Sequence, residues 1–289
     1  MNVLIIGASG FVGEKLFNVL SERFNVTGTY NTKSKDKLVK LDMGNSYAVS
    51  ELIAQTKANI VIHTAGITNV DLFEKENEKY QKISSEWMAN VINGCRRTGS
   101  KPIYISTDYV FDGKKGDYKE DDETNPINAY GRSKLNDEKA LESSGLDYLI
   151  LRISVPYGYN SADDKQTFEK WVMNNLKDGK EISVIDDQIN TPTFIDDIAQ
   201  VVERMIEMNE SGIFHVAGSE RISRYDFALS VAETFNLNKN LIKRAKAKDL
   251  KWNAQRPLDS SLNIDKLKSL GIEMSNVKKG LVKMRKQIE

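Results

Sequence analysis

The sequence predicts a doubly wound α/β fold, in which a parallel sheet carries helices on both faces and a smaller lobe follows. Two observations support this prediction. The run Val3-Leu4-Ile5-Ile6 is continuously apolar and ends at Gly7, which is typical of a strand buried on both faces of a parallel sheet. Beyond it, apolar strands and helical stretches alternate through the first half of the chain.

Each element of that alternation has its own signal. Leu16, Val19 and Leu20 recur at helical spacing, and residues 25–30 read as a strand, so the chain opens with a βαβ unit. The elements predicted next are a strand closing at 41–43, a helix near 46–57, a strand over 59–63, a helix near 78–98, a strand over 102–105, a helix near 128–143 and a strand over 148–151.

The alternation loosens beyond about Val155. Here the pattern predicts a helix around 168–176, a strand over 182–185 and a helix over 195–208, which could equally pack back on the first domain. We therefore divide the chain into a nucleotide-binding domain over 1–155 and a substrate lobe over 156–289, partly interleaved with the first.

Charge and cysteine content exclude several classes of function. The 289 residues include 41 Lys+Arg and 41 Asp+Glu, so no net field attracts nucleic acid. Cys95 has no second thiol to pair with and fits a small core residue, which indicates a reduced compartment. No apolar run approaches the roughly 18 residues of a membrane span. We expect a cytoplasmic protein without nucleic-acid or membrane partners.

A glycine-rich turn follows the first strand and opens the first helix. Its spacing is G-x-x-G-x-x-G, and the free amides and positive dipole end of such a helix attract a pyrophosphate. The alternative is a strand-to-helix turn without a ligand. This motif in this context predicts the dinucleotide site of a Rossmann fold, with contacts from Gly7, Ser9, Gly10, Phe11, Val12 and Gly13.

The end of the second strand indicates which dinucleotide is bound. An NAD site usually carries an acid there, whereas this chain reads Tyr-Asn-Thr-Lys-Ser-Lys over 30–35. Asn31 and Lys33 would suit a 2′-phosphate, so NADPH is favoured and NADH stays open; the lysines could also belong to a solvated loop. Asp42, beside Met43, either accepts from the adenine amino group or caps the next helix. We count both among the cofactor residues.

Tyr130 and Lys134 are four residues apart at the start of a predicted helix and therefore share one face. A phenol has a pKa of about 10, and a nearby ammonium lowers it, which makes the pair suitable for proton transfer. By itself this four-residue spacing is weak evidence for a catalytic site, because tyrosines and lysines on protein surfaces often show it. Here Ser106-Thr107-Asp108 ends the preceding strand at the edge of the sheet where ligands bind.

Together these motifs resemble the extended short-chain dehydrogenase/reductases, specifically the dTDP-4-dehydrorhamnose reductase group, nearly end to end. The string Ser-Thr-Asp-Tyr-Val-Phe-Asp-Gly over 106–113 is the most specific part of the match. The other matching residues are His63-Thr64-Ala65-Gly66, Thr68, Val70-Asp71, Gln188, Thr191-Pro192-Thr193 and Arg256-Pro257.

The resemblance implies a function and a set of site residues. It implies that NADPH reduces a keto group on a nucleotide-linked deoxysugar, with Tyr130 donating the proton. The implied catalytic triad is Thr107, Tyr130 and Lys134; Tyr130 and Lys134 also contact the cofactor, whose cleft is lined by Ala65, Gly66 and Thr68. The loop over 153–158 would shelter the nicotinamide. The implied substrate contacts are Thr107, Asp108, Val155, Gln188, Thr193 and Arg256, the last of which could instead close a surface salt bridge.

Two positions depart from the group's pattern. Val155 stands where the group often has a tryptophan that packs on the sugar, which leaves the sugar's identity open. Ser84 stands where the group usually has an asparagine that helps to organise the site. A hydroxyl can substitute there, with activity lower or differently tuned.

Two other functions compete with the reductase. The methionine adenosyltransferase β subunit, a non-catalytic NADP-binding regulator, resembles the same family; the intact Thr107, Tyr130 and Lys134 favour an enzyme. A sugar-nucleotide epimerase or dehydratase is expected to have an acidic residue after the second strand and a larger substrate lobe, and this chain shows neither. His63 and His215 lie in apolar strand patterns without zinc spacing, so we expect no catalytic metal. The sequence leaves the oligomeric state open, and a homodimer is one of the states compatible with it.

Overall fold

The computed structural model describes residues 1–160 and 166–289. Its strands are β1 Asn2–Ile6, β2 Asn25–Tyr30, β3 Leu38–Lys40, β4 Ile60–His63, β5 Lys101–Thr107, β6 Leu149–Ile153, β7 Pro156–Tyr157, β8 Ile182–Ile185, β9 Ile189–Asn190, β10 Thr193–Phe194, β11 Gly212–Val216, β12 Ile222–Ser223 and β13 Ile242–Ala245. Its helices are α1 Phe11–Leu20, α2 Ser46–Gln55, α3 Val70–Lys75, α4 Asn77–Thr98, α5 Ala129–Glu142, α6 Phe168–Lys177, α7 Ile195–Glu207, α8 Arg224–Thr234, α9 Asp265–Ser269 and α10 Val277–Ile288.

The central sheet has seven parallel strands in the order β3-β2-β1-β4-β5-β6-β11. This confirms the predicted doubly wound fold. The strand order reverses beside β1, and ligands of such sheets bind at the carboxyl ends of the strands near that point.

The core lies on both faces of the sheet because successive strand residues point to opposite sides. Val3 and Ile5 pack in one cluster with residues of α1 and α7, whereas Leu4 and Ile6 pack in another with residues of α2 and α4. Cys95 belongs to the second cluster, and burial raises the pKa of its thiol to about 12.

The chain after β6 builds a second lobe and also returns to the first. The parallel pair β8 and β13 packs with helices α6, α8 and α10 around a separate core. Strand β11 then pairs with β6 in the main sheet, and α7 packs on α1. Of the helices in the described part of the chain, none combines the length and apolarity needed to cross a bilayer.

The segment after β3 differs from the prediction. Strand β3 ends at Lys40, so residues 41–43 follow the strand rather than close it. The Asp42 carboxylate accepts from the Gly44 N–H at 2.9 Å, and Asn45 caps α2 by accepting from the Ala48 N–H at 3.0 Å. The prediction that Asp42 caps this helix is therefore wrong, because the tight turn at Asp42 places Asn45 at the first free amides.

Candidate active site

The glycine turn between β1 and α1 brings backbone segments closer together than side chains would allow. Gly7 has a φ of +92°, and a Cβ there would lie 2.7 Å from the Ala65 nitrogen. A Cβ on Gly13 would lie 2.2 Å from the Gly7 carbonyl oxygen. The first-turn amides of α1 have no acceptor within the helix, so they remain available to an anion. The backbone thus forms a cradle that fits a pyrophosphate.

A cavity of about 570 Å³ opens over this cradle. Residues predicted for the cofactor line it: Gly7, Ser9, Gly10, Phe11, Val12, Gly13, Asn31, Lys33, Ala65, Gly66 and Thr68. Thr32, Thr64 and Trp87 complete the lining. Sequence reasoning missed Trp87, a half-buried aromatic residue on α4, because no local motif marks it.

The other cofactor predictions have different surroundings. Asp42 and Met43 are not among the residues that line this cavity. Met43 is buried in the core between the sheet and α4, where its carbonyl accepts from the Asn90 side chain at 2.8 Å. Lys35 pairs with Glu14 at 2.9 Å. Asn31 and Lys33 line the cavity over the cradle, whereas Lys35 does not, so they remain the candidates for a 2′-phosphate.

A second cavity, of about 180 Å³, continues from the first and shares Val12, Thr64, Ala65, Gly66 and Thr68 with it. The structure brings the predicted catalytic residues together here, and the lining includes Thr107, Asp108, Tyr130, Lys134 and Val155. Sequence order explains this convergence. Strand β5 ends at Thr107, and α5 begins at Ala129, so Tyr130 and Lys134 lie one turn apart over the end of the strand.

The cap of α5 fixes where Tyr130 lies. Asn128 accepts from the Gly131 N–H at 2.8 Å through its side chain, and that side chain also donates to the Gln255 carbonyl at 2.9 Å. The ring of Tyr130 meets Phe73 and Tyr109 edge-on, with both centroids 6.0 Å away. The first turn of α5 is thus anchored to the C-terminal part of the chain.

The charge state of Tyr130 departs from the expectation that Lys134 lowers its pKa. Burial raises the pKa of Tyr130 above its ordinary value; a hydrogen bond with Thr107 opposes this, and the negative charge of Asp108 adds to it. Lys134 instead donates to the Ile105 carbonyl at 2.7 Å, and burial lowers its pKa to about 8. Burial thus favours the protonated, uncharged form of the Tyr130 phenol.

Asp108 is a buried carboxylate with hydroxyl partners on three sides. It accepts from Thr107 at 3.1 Å, from Ser154 at 3.0 Å and from Ser260 at 2.5 Å. Burial raises its pKa, and these hydrogen bonds oppose the shift. Asp108 thereby ties β5 to the loop after β6 and to the C-terminal segment around Ser260.

The loop after β6 is strained beside the catalytic cavity. Val155 has a φ of +40°, where a β-branched side chain is a clear outlier. Thr193 holds the loop there, since its hydroxyl donates to the Ser154 carbonyl at 2.7 Å and its N–H donates to the Val155 carbonyl at 3.1 Å. Thr193 is fully buried and lines neither cavity. Thr193 thus supports the strained loop, and its substrate contact stays a prediction.

A third cavity, of about 440 Å³, lies on the other side of Tyr109. Its lining includes Gln188 and Arg256, two of the residues predicted to contact the substrate, together with Tyr109, Phe168, Trp171, Ser183, Val184, Ile185, Arg224, Leu250 and Trp252. Arg256 also forms the anticipated salt bridge, with Asp71 at 2.6 Å, and its substrate contact stays a prediction.

Arg224 is a functional candidate that sequence reasoning missed. Its guanidinium carbon lies 5.0 Å from the Phe168 ring centroid, and its Nε donates to the Gln188 side chain at 3.4 Å. It begins α8, far along the chain from the other motifs, so no local pattern marks it. The cavity thus combines aromatic faces with two arginines, Arg224 and Arg256.

Ser84, at the position of the expected asparagine, also lines the catalytic cavity. Its hydroxyl donates to the Asp137 carboxylate at 2.6 Å. Within residues 1–160 and 166–289, no group of three or more His, Cys, Asp or Glu side chains could hold a metal ion.

Comparison with known proteins adds the following findings. A family model described as the RmlD substrate binding domain matches residues 1–289. The dTDP-4-dehydrorhamnose reductase of Aggregatibacter actinomycetemcomitans is 32% identical over 300 residues, covering 99% of this chain and 99% of the relative. The methionine adenosyltransferase 2 subunit beta of Bos taurus is 29% identical over 280 residues, covering 93% of this chain and 82% of that protein.

A solved structure extends the similarity to three dimensions. The dTDP-4-dehydrorhamnose reductase of Bacillus anthracis, determined in complex with NADP, has a TM-score of 0.91 and 29% sequence identity to this chain. The match covers 99% of each chain.

Proposed function

Because the chain belongs to the family described as the RmlD substrate binding domain, we propose that it is an NADPH-dependent reductase of a dTDP-linked 4-keto-6-deoxysugar such as dTDP-4-dehydrorhamnose. One observation carries this proposal. The cavity that holds Thr107, Tyr130 and Lys134 continues directly from the cavity over the glycine cradle. A substrate carbonyl there would lie next to a dinucleotide bound along the cradle.

The residues present fit NADPH. The amides at the start of α1 would hold the pyrophosphate, and Asn31 and Lys33 would hold the 2′-phosphate. Lys134 would hold the nicotinamide ribose, and the strained loop at Val155 would cover the nicotinamide from the side of the second lobe. When bound, NADPH supplies the hydride for the substrate carbonyl carbon.

Tyr130 would supply the proton. Burial raises its pKa, so at neutral pH the phenol carries the proton that the substrate oxygen needs as it gains negative charge. The Thr107 hydroxyl has a single proton, directed at Asp108 in the structure. To hold the substrate oxygen, this hydroxyl must rotate from Asp108 towards the cavity. The Lys134 ammonium adds positive charge beside the site.

The third cavity would bind the nucleotide part of the substrate. Phe168, Trp171 and Trp252 offer faces for a pyrimidine base, and Arg224 and Arg256 offer guanidinium groups for the diphosphate. The sugar would then reach past Tyr109 to Tyr130. Val155 fills less space than the tryptophan common in this family, so the sugar side of the cavity has more room.

The test is to mix the purified protein with NADPH and dTDP-4-dehydrorhamnose and to follow loss of the nicotinamide absorbance. We expect Tyr130→Phe to reduce kcat by a factor of about 100 or more while NADPH binding, measured by fluorescence, is retained. Tyr148→Phe, which removes a hydroxyl at the start of β6 away from the cavities, is the matched control and should turn over normally. Equal rates for the two variants would refute the role of Tyr130.

The similarity to the methionine adenosyltransferase β subunits supports a second candidate, a regulatory subunit that binds NADPH without chemistry. It would bind NADPH as tightly as an enzyme but consume none with any keto-sugar nucleotide. The effect of such a regulator on its partner enzyme would survive Tyr130→Phe. Turnover that Tyr130→Phe abolishes decides in favour of the reductase.

The cytoplasm is the compartment that suits this reductase. Its one cysteine, Cys95, is a free thiol buried in the core, as in proteins that fold without disulfides. Fractionation of cells that produce the tagged chain would test this assignment.

A further inference from the structure

A buried carboxylate lies behind the catalytic cavity, where no cofactor or substrate contact is assigned. Asp137 is 1% exposed. One of its oxygens accepts from the Tyr104 hydroxyl at 2.8 Å and from the Ser84 hydroxyl at 2.6 Å. These donors come from β5 and α4, so the carboxylate is fixed in place from two elements besides its own helix.

Tyr104 connects Asp137 to the proposed catalytic lysine. The Lys134 ammonium lies over the Tyr104 ring, 4.0 Å from the ring centroid, and donates to the Ile105 carbonyl at 2.7 Å. The hydroxyl of that same ring donates to Asp137. Because Lys134 and Asp137 are one helical turn apart on α5, their charges face the same part of β5.

The remaining ionisable groups around Lys134 cannot take the place of Asp137. His63 stacks on Tyr104 with centroids 5.4 Å apart, and burial followed by the charge of Lys134 lowers its pKa to about 3, so it is neutral. Burial also raises the pKa values of Tyr104 and Tyr130, which keeps both phenols uncharged.

Three carboxylates remain near the lysine. Asp108 lines the catalytic cavity and accepts from its three hydroxyl donors. Glu138 is already compensated by Arg152, whose Nη2 lies 2.8 Å from it. Among the described residues, no lysine or arginine forms an ion pair with Asp137. The charges of Asp137 and Glu138 both raise the pKa of Lys134, and within the described structure Asp137 is the one of the two without an arginine partner. Burial raises the pKa of Asp137, and Lys134 together with the Ser84 and Tyr104 hydroxyls opposes that shift.

We propose that Asp137 is a positioning residue, whose buried carboxylate keeps Lys134 protonated and seated on the Tyr104 ring and the Ile105 carbonyl. Burial removes water from an ammonium and so shifts its equilibrium towards the neutral amine. A carboxylate held nearby shifts the equilibrium back towards the ammonium. Burial lowers the pKa of Lys134, whereas the charge of Asp137 and, after it, the charge of Glu138 raise it. The inference rests on the proposed function, because it assigns Asp137 a part in the reaction through Lys134.

The decisive experiment follows the titration of Lys134 by NMR of its side-chain nitrogen, with Lys134→Met to assign the signal. In Asp137→Asn, which keeps the shape and an acceptor oxygen, we expect the midpoint to fall by about one pH unit or more. The high-pH limb of kcat should move down by the same amount. An unchanged Lys134 midpoint in folded Asp137→Asn would overturn the proposal.

Two further variants separate charge from packing. Asp147→Asn removes the carboxylate partner of Lys101, outside the cavities, and should leave the Lys134 midpoint unchanged. Since the Ser84 oxygen is 2.6 Å from Asp137, the double variant Asp137→Asn/Ser84→Asp returns one carboxylate to the same place. We expect this double variant to reverse most of the downward shift of the Lys134 midpoint. A double variant no different from Asp137→Asn would count against the role of charge.

The unaltered protein offers a test that does not depend on folding of a variant. The side-chain carboxyl carbon of Asp137 must report an ionised carboxylate at pH 7, and a neutral acid there would overturn the inference. Both NMR measurements decide the role of Asp137 without turnover. Failure of the wild-type protein to reduce the keto sugar would count only against the proposed function.

Discussion

At the scale of single residues, loss of water sets the protonation states around the site. His63 and His215 are both buried, and burial lowers the pKa of each to about 3. In the unfolded chain a histidine has a pKa of about 6.5. Both imidazoles are therefore neutral in the folded protein under conditions where an unfolded chain would hold a proton on each.

This difference predicts acid sensitivity. Below pH 6.5 the two histidines bind protons in the unfolded chain but stay neutral in the folded protein. The free energy of unfolding therefore falls as pH drops towards about 3. Each histidine contributes a slope of about 1.4 kcal/mol per pH unit. In His63→Phe, which keeps a ring against Tyr104, we expect one such contribution to vanish between pH 6 and pH 4.

Urea unfolding at several pH values measures this slope. His215 remains in the variant, so about half of the histidine-linked slope should persist. Identical slopes for the wild-type protein and His63→Phe would show that His63 does not bind a proton on unfolding.

At the scale of elements, α5 carries most of the proposed chemistry. Tyr130, Lys134, Asp137 and Glu138 lie on its first three turns. Glu138 anchors the helix to β6, since the Arg152 guanidinium donates to both of its oxygens at 2.8 to 3.2 Å. Ser106 at the end of β5 donates to the same carboxylate. This buried pair thus fixes α5 relative to β5 and β6, whose ends line the catalytic cavity.

Breaking that pair should be costly. Arg152 is 3% exposed and Glu138 fully buried, so Arg152→Met leaves a buried charge without its partner. We expect the free energy of unfolding to fall by about 3–5 kcal/mol. In Arg152→Met/Glu138→Leu no charge is left uncompensated, and more than half of the loss should return. Chemical denaturation of Arg152→Met, Glu138→Leu and the double variant completes a double-mutant cycle and gives the coupling energy; purely additive losses would contradict the pairing.

The elements were the part of the fold that the sequence predicted most closely, because their signals are local. The runs behind β1 and β2 and the 3.6-residue period behind α4 need no knowledge of distant residues. The glycine motif and the Tyr130–Lys134 spacing are local as well, and the structure places both at the cavities. Arg224 and the support of Val155 by Thr193 depend on how separate segments meet, which no local pattern records.

At the scale of the whole molecule, the two halves of the chain share one sheet. Strand β11, from the second half, pairs with β6 along all five of its residues. The segment after β13 also bonds to the first half of the chain. The Tyr118 N–H donates to the Ser261 carbonyl at 2.9 Å, and the Asn263 N–H donates to the Tyr118 carbonyl at 2.7 Å. The nucleotide-binding region is therefore completed by sequence that lies beyond the boundary drawn at residue 155.

This interleaving predicts that a fragment of residues 1–155 does not fold alone. Strand β6, buried over all its residues, would become an open apolar edge, and α1 would lose its contact with α7. We expect the fragment to aggregate or to lack dispersed amide signals in NMR. Coexpression with residues 156–289 should restore a soluble complex, because it returns β11 and α7. A fragment that unfolds cooperatively and binds NADPH by itself would show instead that the first six strands form an autonomous domain.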